Sequence, residues 1–123
     1  MRMAIVGHGR MGHEVEAVAR ERGHEAVVAG RAGFPAGAVV GIDFTRAESV
    51  EENVKRAIQA GARYVVGTTG WGDREAAVRA MVQSAGGGLV HAANFSLGVN
   101  LFYQVVRHAA APAHAAAARE VLH

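Results

Sequence analysis

The hexapeptide GHGRMG, Gly7 to Gly12, follows directly on the apolar run MAIV and opens straight into a helical pattern. No other feature limits the chain so strongly. Met3 to Val6 read as a short strand that is apolar on both faces, as a strand covered on both sides must be. From about Arg10 to Arg22, Met11, Val15 and Val18 recur at helical spacing, charges fill the other face, and Gly23 can end the helix. Strand, glycine turn and helix in immediate succession are how a parallel α/β sheet begins.

The alternation continues along the chain. Strands are expected near Ala26–Ala29, Val39–Phe44, Tyr64–Val66 and Leu89–Ala92. One helix should begin after DFTRAES, where Thr45 and Glu48 have capping-box spacing and Val50, Val54, Ala57 and Ile58 form an apolar face. Another should run from about Asp73 to Ala85. A last one should start near Gly98, with Ser96 as its cap, Leu101, Phe102, Val105 and Val106 on its buried side, and Pro112 as its interruption. Gly30 to Gly37, broken by Pro35, reads as an irregular crossover. The expected fold is therefore α/β, a Rossmann-like doubly wound parallel sheet in a single domain over residues 1–111. An alanine-rich tail with a poor apolar face, 112–123, follows it.

Composition narrows the function classes. A chain of 123 residues suits one such domain. Its formal net charge is only +2, and its arginines alternate with acids in EVEAVARER and ESVEENVKR, as on a solvated helix surface. A nucleic-acid partner is not expected. The sequence has no cysteine, so disulfides, thiol nucleophiles and cysteine metal sites are excluded. No apolar run approaches the roughly 18 residues of a membrane helix, and MRMAIVG is too short for a signal-peptide core. The expected setting is cytoplasmic, without a membrane partner.

After a strand and before a helix, GxGxxG reads as a dinucleotide loop. Gly7 permits the tight turn, Gly9 lets the backbone approach a pyrophosphate, and Gly12 allows close helix-to-sheet packing. A glycine turn without a ligand is the alternative. The end of the second strand selects the cofactor, and there VVAGRAG offers Arg31 and no acid between Ala26 and Ile42, which favours NADPH over NADH. Arg31 as a plain surface charge is the competing reading. The third, fourth and fifth strands end in IDFT, VVGTTGW and VHAANFS, bringing Thr45, Thr68, Thr69 and Asn94 to the edge where an open parallel sheet binds ligands. Each could also serve only a turn or a cap. Among the seven histidines, His8 could approach phosphates and His91 could line the cleft. His8 and His13, five positions apart, do not share a helical face, so no metal is expected. No catalytic group is identified.

Taken in order, GHGRMG, IDFTRAESV, VVGTTGW and AANFSLGVNL closely resemble the amino-terminal domain of the dihydrodipicolinate reductases of bacterial lysine (diaminopimelate) biosynthesis. The match runs from about Met3 to Phe102. The resemblance implies hydride transfer from NADPH or NADH to a cyclic unsaturated dicarboxylate, usually in a homotetramer. It implies that Gly9, Arg10 and Met11 hold the pyrophosphate and that Arg31 lies by the adenosine ribose. Phe44, Thr45, Gly67, Thr69, Ala93, Asn94 and Phe95 would line the path to the nicotinamide, Thr69 would also meet substrate, and Gly98 to Leu101 would be the hinge to a second domain. That domain's His-His motif, following lysine and DAPSGTA-like loop have no counterpart here, and Lys55 is the only lysine. Activity of the chain alone is therefore in doubt, and any homo-oligomer cannot be carried over from the family. A non-catalytic NADP(H)-binding or redox-sensing module, and an enzyme completed by a separate polypeptide, are the other readings.

Overall fold

The structure, a computed structural model, describes residues 1–30 and 33–120. Five strands, β1 (Arg2–Val6), β2 (Glu25–Ala29), β3 (Val40–Asp43), β4 (Arg63–Val66) and β5 (Leu89–His91), form one sheet in the order β2-β1-β3-β4-β5. All four pairings are parallel. The helices are α1 (Arg10–Glu21), α2 (Val50–Gln59), α3 (Glu75–Ser84) and α4 (Leu97–Glu120), with short 3-10 turns at Ala47–Ser49 and Gly72–Arg74 leading into α2 and α3. This is the Rossmann-like α/β sheet expected from the alternation. Between β2 and β3 the described residues form neither helix nor strand, as the glycine-rich crossover implied.

Strand alternation divides the core between the two faces of the sheet. Ala4, Val6, Tyr64 and Val66 point toward α2 and α3 and pack with Val50, Val54, Ala57, Val78 and Val82. Ile5 points the other way, with Ala19 of α1 and Ala26, and Met3 and Val15 flank them. Fully burying one valine contributes roughly 1.5–3 kcal/mol, so the α2/α3 face holds most of the stabilisation. On α2 the predicted apolar positions Val50, Val54 and Ala57 are wholly buried. Its solvent side carries the Arg56–Glu52 pair at 3.1 Å. Helix α1 ends where Gly23 takes a φ of +76°, and the backbone closes with His24 N–H donating to the Ala19 carbonyl at 2.9 Å.

Three local expectations need correction. Helix α2 does not start from a Thr45–Glu48 capping box: the 3-10 turn before it is preceded by Arg46, without a side-chain cap, because the Thr45 side chain is held at Asp43, donating to Oδ1 at 2.6 Å while its oxygen faces Asn53 Nδ2 at 3.4 Å. Pro112 does not interrupt the last helix, which continues to Glu120. The alanines on both sides have the highest helix propensity of any residue and carry the helix past the missing N–H. Leu101, Phe102, Val105 and Val106 are not buried; each is between 46% and 65% exposed. Helix α4 belongs to the second of two compact units, which begins at Asn94, whereas the sheet lies in the first, Met1–Ala93.

Candidate functional site

The sheet order reverses between β1 and β3, and in open parallel sheets that switch point is where ligands bind, beyond the carboxyl ends of the strands. The glycine loop lies there. Phe44 N–H donates to the Val6 carbonyl at 2.9 Å, which draws the chain leaving β3 against the chain leaving β1. Gly7 has a φ of +90°, and a Cβ there would come within 2.8 Å of Thr45 Cγ2 and press into the Phe44 carbonyl. A Cβ on Gly12 would collide with the Gly7 carbonyl oxygen. Both glycines are therefore demanded by the protein's own packing.

Gly9 is different. It is the N-cap of α1 with φ −82°, and nothing lies within 4 Å of where its Cβ would be. The first intrahelical bond is His13 N–H to the Gly9 carbonyl at 3.0 Å, so the N–H groups of Arg10, Met11 and Gly12 precede the helical ladder. No side chain caps this end, and its first turn has no acid. Arg10 and Met11 are exposed beside it. Free N–H groups, the positive end of the helix dipole and an open approach over a glycine are the requirements of a phosphate site.

Two hollows follow the same edge. One, of about 330 Å³, is lined by Gly7, Ala29, Gly30, Phe34, Thr45 and Asn53, among others. It lies at the ends of β1, β2 and β3. Arg31 falls outside the described residues. The second, of about 160 Å³, lies at the ends of β4 and β5 and is lined by Thr68, Thr69, Trp71, Glu75, His91 and Ala93, among others. Phe44 stands on Gly67, where any Cβ would meet its ring. Seven of the expected residues, from Gly7 to Gly12 and at Phe44 and Thr45, thus gather at the switch point, while Gly67, Thr69 and Ala93 continue the edge. Asn94 and Phe95 belong to the second unit, where Asn94 Oδ1 accepts the Ser96 N–H at 2.7 Å. Ser96 Oγ in turn accepts the Val99 N–H at 3.4 Å, the cap expected for α4.

Asp43, the last residue of β3, is the part of this edge that sequence reasoning missed. Its carboxylate has no exposure. Oδ1 accepts the Thr45 N–H at 2.9 Å, the Thr45 hydroxyl at 2.6 Å and the Thr68 hydroxyl at 2.9 Å. Oδ2 accepts Asn53 Nδ2 and the Tyr64 hydroxyl, both at 3.0 Å. Among the described residues no cation pairs with it. Burial first, and then the neighbouring Asp43 charge, push the Tyr64 hydroxyl far above the usual phenol range, so it stays a donor. The Thr68 hydroxyl also accepts the Thr45 N–H at 2.8 Å. One buried anion therefore ties the loops after β3 and β4 to each other and to α2. The available signal was an acid closing the apolar run VVGI.

The histidines also sit differently from the helical-spacing argument. His8 is on the loop rather than on α1, and its ring folds back to within 3.7 Å, centroid to centroid, of His13. His8 Nε2 lies 2.6 Å from Glu16 Oε2. That hydrogen bond, with Arg20 and against partial burial, holds the Glu16 carboxyl below its ordinary 4.5. His91 lies 3.3 Å from Glu75 and edge-on to Trp71 at 5.0 Å. The Glu75 carboxyl is held below its ordinary 4.5, chiefly by its bond to Arg79.

With this geometry in place, the comparisons are specific. A family profile described as dihydrodipicolinate reductase, N-terminus, matches residues 29–95, more than half the chain. A 4-hydroxy-tetrahydrodipicolinate reductase of Christiangramia forsetii is 31% identical over 111 residues, covering 85% of this chain and 46% of that protein. The enzyme of the same name from Chromobacterium violaceum is 45% identical over 75 residues, 60% of this chain and 27% of its own length. That of Natronomonas pharaonis is 36% identical over 124 aligned positions, 86% of this chain and 50% of its own length. The chain spans half or less of the length of these curated relatives. Among the described residues no helix is long and apolar enough to cross a membrane.

Proposed function

Since the chain belongs to the dihydrodipicolinate reductase family through that family's N-terminal domain, we propose that it binds a nicotinamide dinucleotide along the carboxyl edge of its sheet. It acts as the cofactor-binding part of a 4-hydroxy-tetrahydrodipicolinate reductase. The observation that carries this reading is the start of α1, uncapped, without an acid and open above Gly9 at the switch point. The N–H groups of Arg10, Met11 and Gly12 hold the pyrophosphate, with Gly7 and Gly9 shaping the approach. Arg31 meets the adenosine ribose, and because no acid lies between Ala26 and Ile42, NADPH is preferred to NADH.

Phe44, Thr45, Gly67 and Thr69 carry the edge toward the reacting ring, and Thr69 touches substrate. When bound, the nicotinamide supplies the hydride that reduces a cyclic unsaturated dicarboxylate in lysine (diaminopimelate) biosynthesis, a cytoplasmic step. The residues named here bind and orient. Proton transfer and carboxylate recognition have no assigned group among these residues.

Calorimetric titration with NADPH and NADH under identical salt tests the proposal. Saturable binding of either, lost on adding a side chain at Gly9, is the expected result. A folded chain that binds neither refutes it. Arg31→Ala should weaken NADPH more than NADH, and equal losses would remove the guanidinium from cofactor choice.

A further inference from the structure

One cluster of ligand-forming side chains stands apart from the backbone donors proposed for the cofactor. His8, His13 and Glu16 each offer one ligand atom, and all three atoms lie within 4.8 Å of one another. The fold explains the convergence. His13 and Glu16 are three residues apart and share a face of α1, while His8 lies on the loop just before the helix and turns back over that face. Glu16 is held from behind: its Oε1 takes Arg20 Nη2 at 2.6 Å, leaving Oε2 directed at His8 Nε2, also at 2.6 Å. The Glu16 side chain is only 12% exposed, whereas the His8 side chain is 37% exposed, so the carboxylate is fixed and the imidazole above it is accessible.

We infer that His8, His13 and Glu16 form a binding site for a divalent transition-metal ion of zinc type, with a fourth position left to water. The donor chemistry selects this class. Two imidazoles and one carboxylate suit zinc and its neighbours, while magnesium and calcium require mostly oxygen ligands. Bond lengths of about 2.0–2.1 Å place ligand atoms roughly 3.3 Å apart around a tetrahedral ion. His8 therefore has to withdraw from Glu16 by less than an ångström, and the ion replaces the proton they share. The Arg20 contact to the other carboxylate oxygen is the outer partner that orients a metal-binding carboxylate. An ion here staples the glycine loop to the second turn of α1.

The test uses the whole chain without any dinucleotide, so its outcome is independent of the cofactor proposal. Titrating ZnCl2 calorimetrically near neutral pH should give one ion per chain, and zinc should raise the melting temperature. MgCl2 should do neither. His13→Ala, a change at an exposed helix position, should weaken zinc at least tenfold, and so should Glu16→Gln. His24→Ala, which changes a partly exposed histidine outside the cluster, should leave zinc binding unchanged. Absence of saturable zinc binding by the folded chain overturns the site. So does an affinity that is unaltered in His13→Ala, or one reduced equally by His24→Ala, since either places the ion elsewhere.

Discussion

The three glycines of the loop look equivalent as letters, yet the structure gives them two different duties. Gly7 and Gly12 are fixed by neighbouring backbone, whereas Gly9 faces open space. The distinction can be measured. Gly12→Ala forces a methyl group into the Gly7 carbonyl and should cost about 2 kcal/mol in chemical denaturation, an overpacking penalty. Gly9→Ala meets no atom and has an ordinary φ of −82°, so stability should change by less than about 0.5 kcal/mol. Its dinucleotide affinity should nevertheless fall at least tenfold, because the methyl stands where the pyrophosphate approaches. A Gly9→Ala chain that is stable and binds as before would remove the phosphate from that side of the loop. The loop was legible in the sequence because glycine is needed wherever backbone comes close, whether to protein or to ligand. Asp43 was not, since nothing local marks a carboxylate that five donors from distant segments will surround.

Between elements, Asp43 links the end of β3, the Thr45 and Thr68 loops, α2 through Asn53, and β4 through Tyr64. Every one of these partners donates, so the acceptor must be an anion with both oxygens free. Asp43→Asn sets an NH2 group against at least one buried donor and should destabilise by about 2–3 kcal/mol. Tyr64→Phe removes a single donor and leaves Oδ2 with Asn53, so its cost should be smaller, about 1 kcal/mol. Urea midpoints of the two variants decide this; equal midpoints would mean that the carboxylate does not organise the edge. The same network shows why element order was readable and one element start was not. Apolar runs and helical spacing placed the five strands and α1 to α3, because burial enforces them over several residues, whereas the apolar face read for α4 is exposed. Thr45 and Glu48 satisfied the capping pattern, but the Thr45 side chain is drawn to Asp43 two residues earlier, and its oxygen, the atom that a cap would use as acceptor, faces Asn53 Nδ2 instead. Competition of that kind depends on how β3 and β4 bring Asp43 and Thr68 together, which spacing along one segment does not record.

At the scale of the molecule, the two faces of the sheet are unequally covered. Ile5, Ile42, Val65 and Val90 are register partners across β1, β3, β4 and β5, and form one apolar row on the α1 face. Ile5, beside α1, is 1% exposed, whereas Val90 at the far edge is 58% exposed. On the opposite face Val54, Val66 and Val78 have no exposure at all. The strands read as apolar runs suited to burial on both sides, and that reading is met fully on the α2/α3 face but only beside α1 on the other. Energetics should follow coverage. Val78→Ala opens a cavity among α2, α3 and the sheet and should cost about 2 kcal/mol, whereas Val90→Ala removes methyl groups already in water and should cost under about 0.5 kcal/mol. Denaturation at several protein concentrations makes the comparison informative. If Val90→Ala proves as costly as Val78→Ala and its cost grows with concentration, the row is buried in solution against a second copy. A large cost that is independent of concentration rules out a second copy as the cover. A negligible cost leaves the row facing water, with the stability of the sheet resting on α2 and α3.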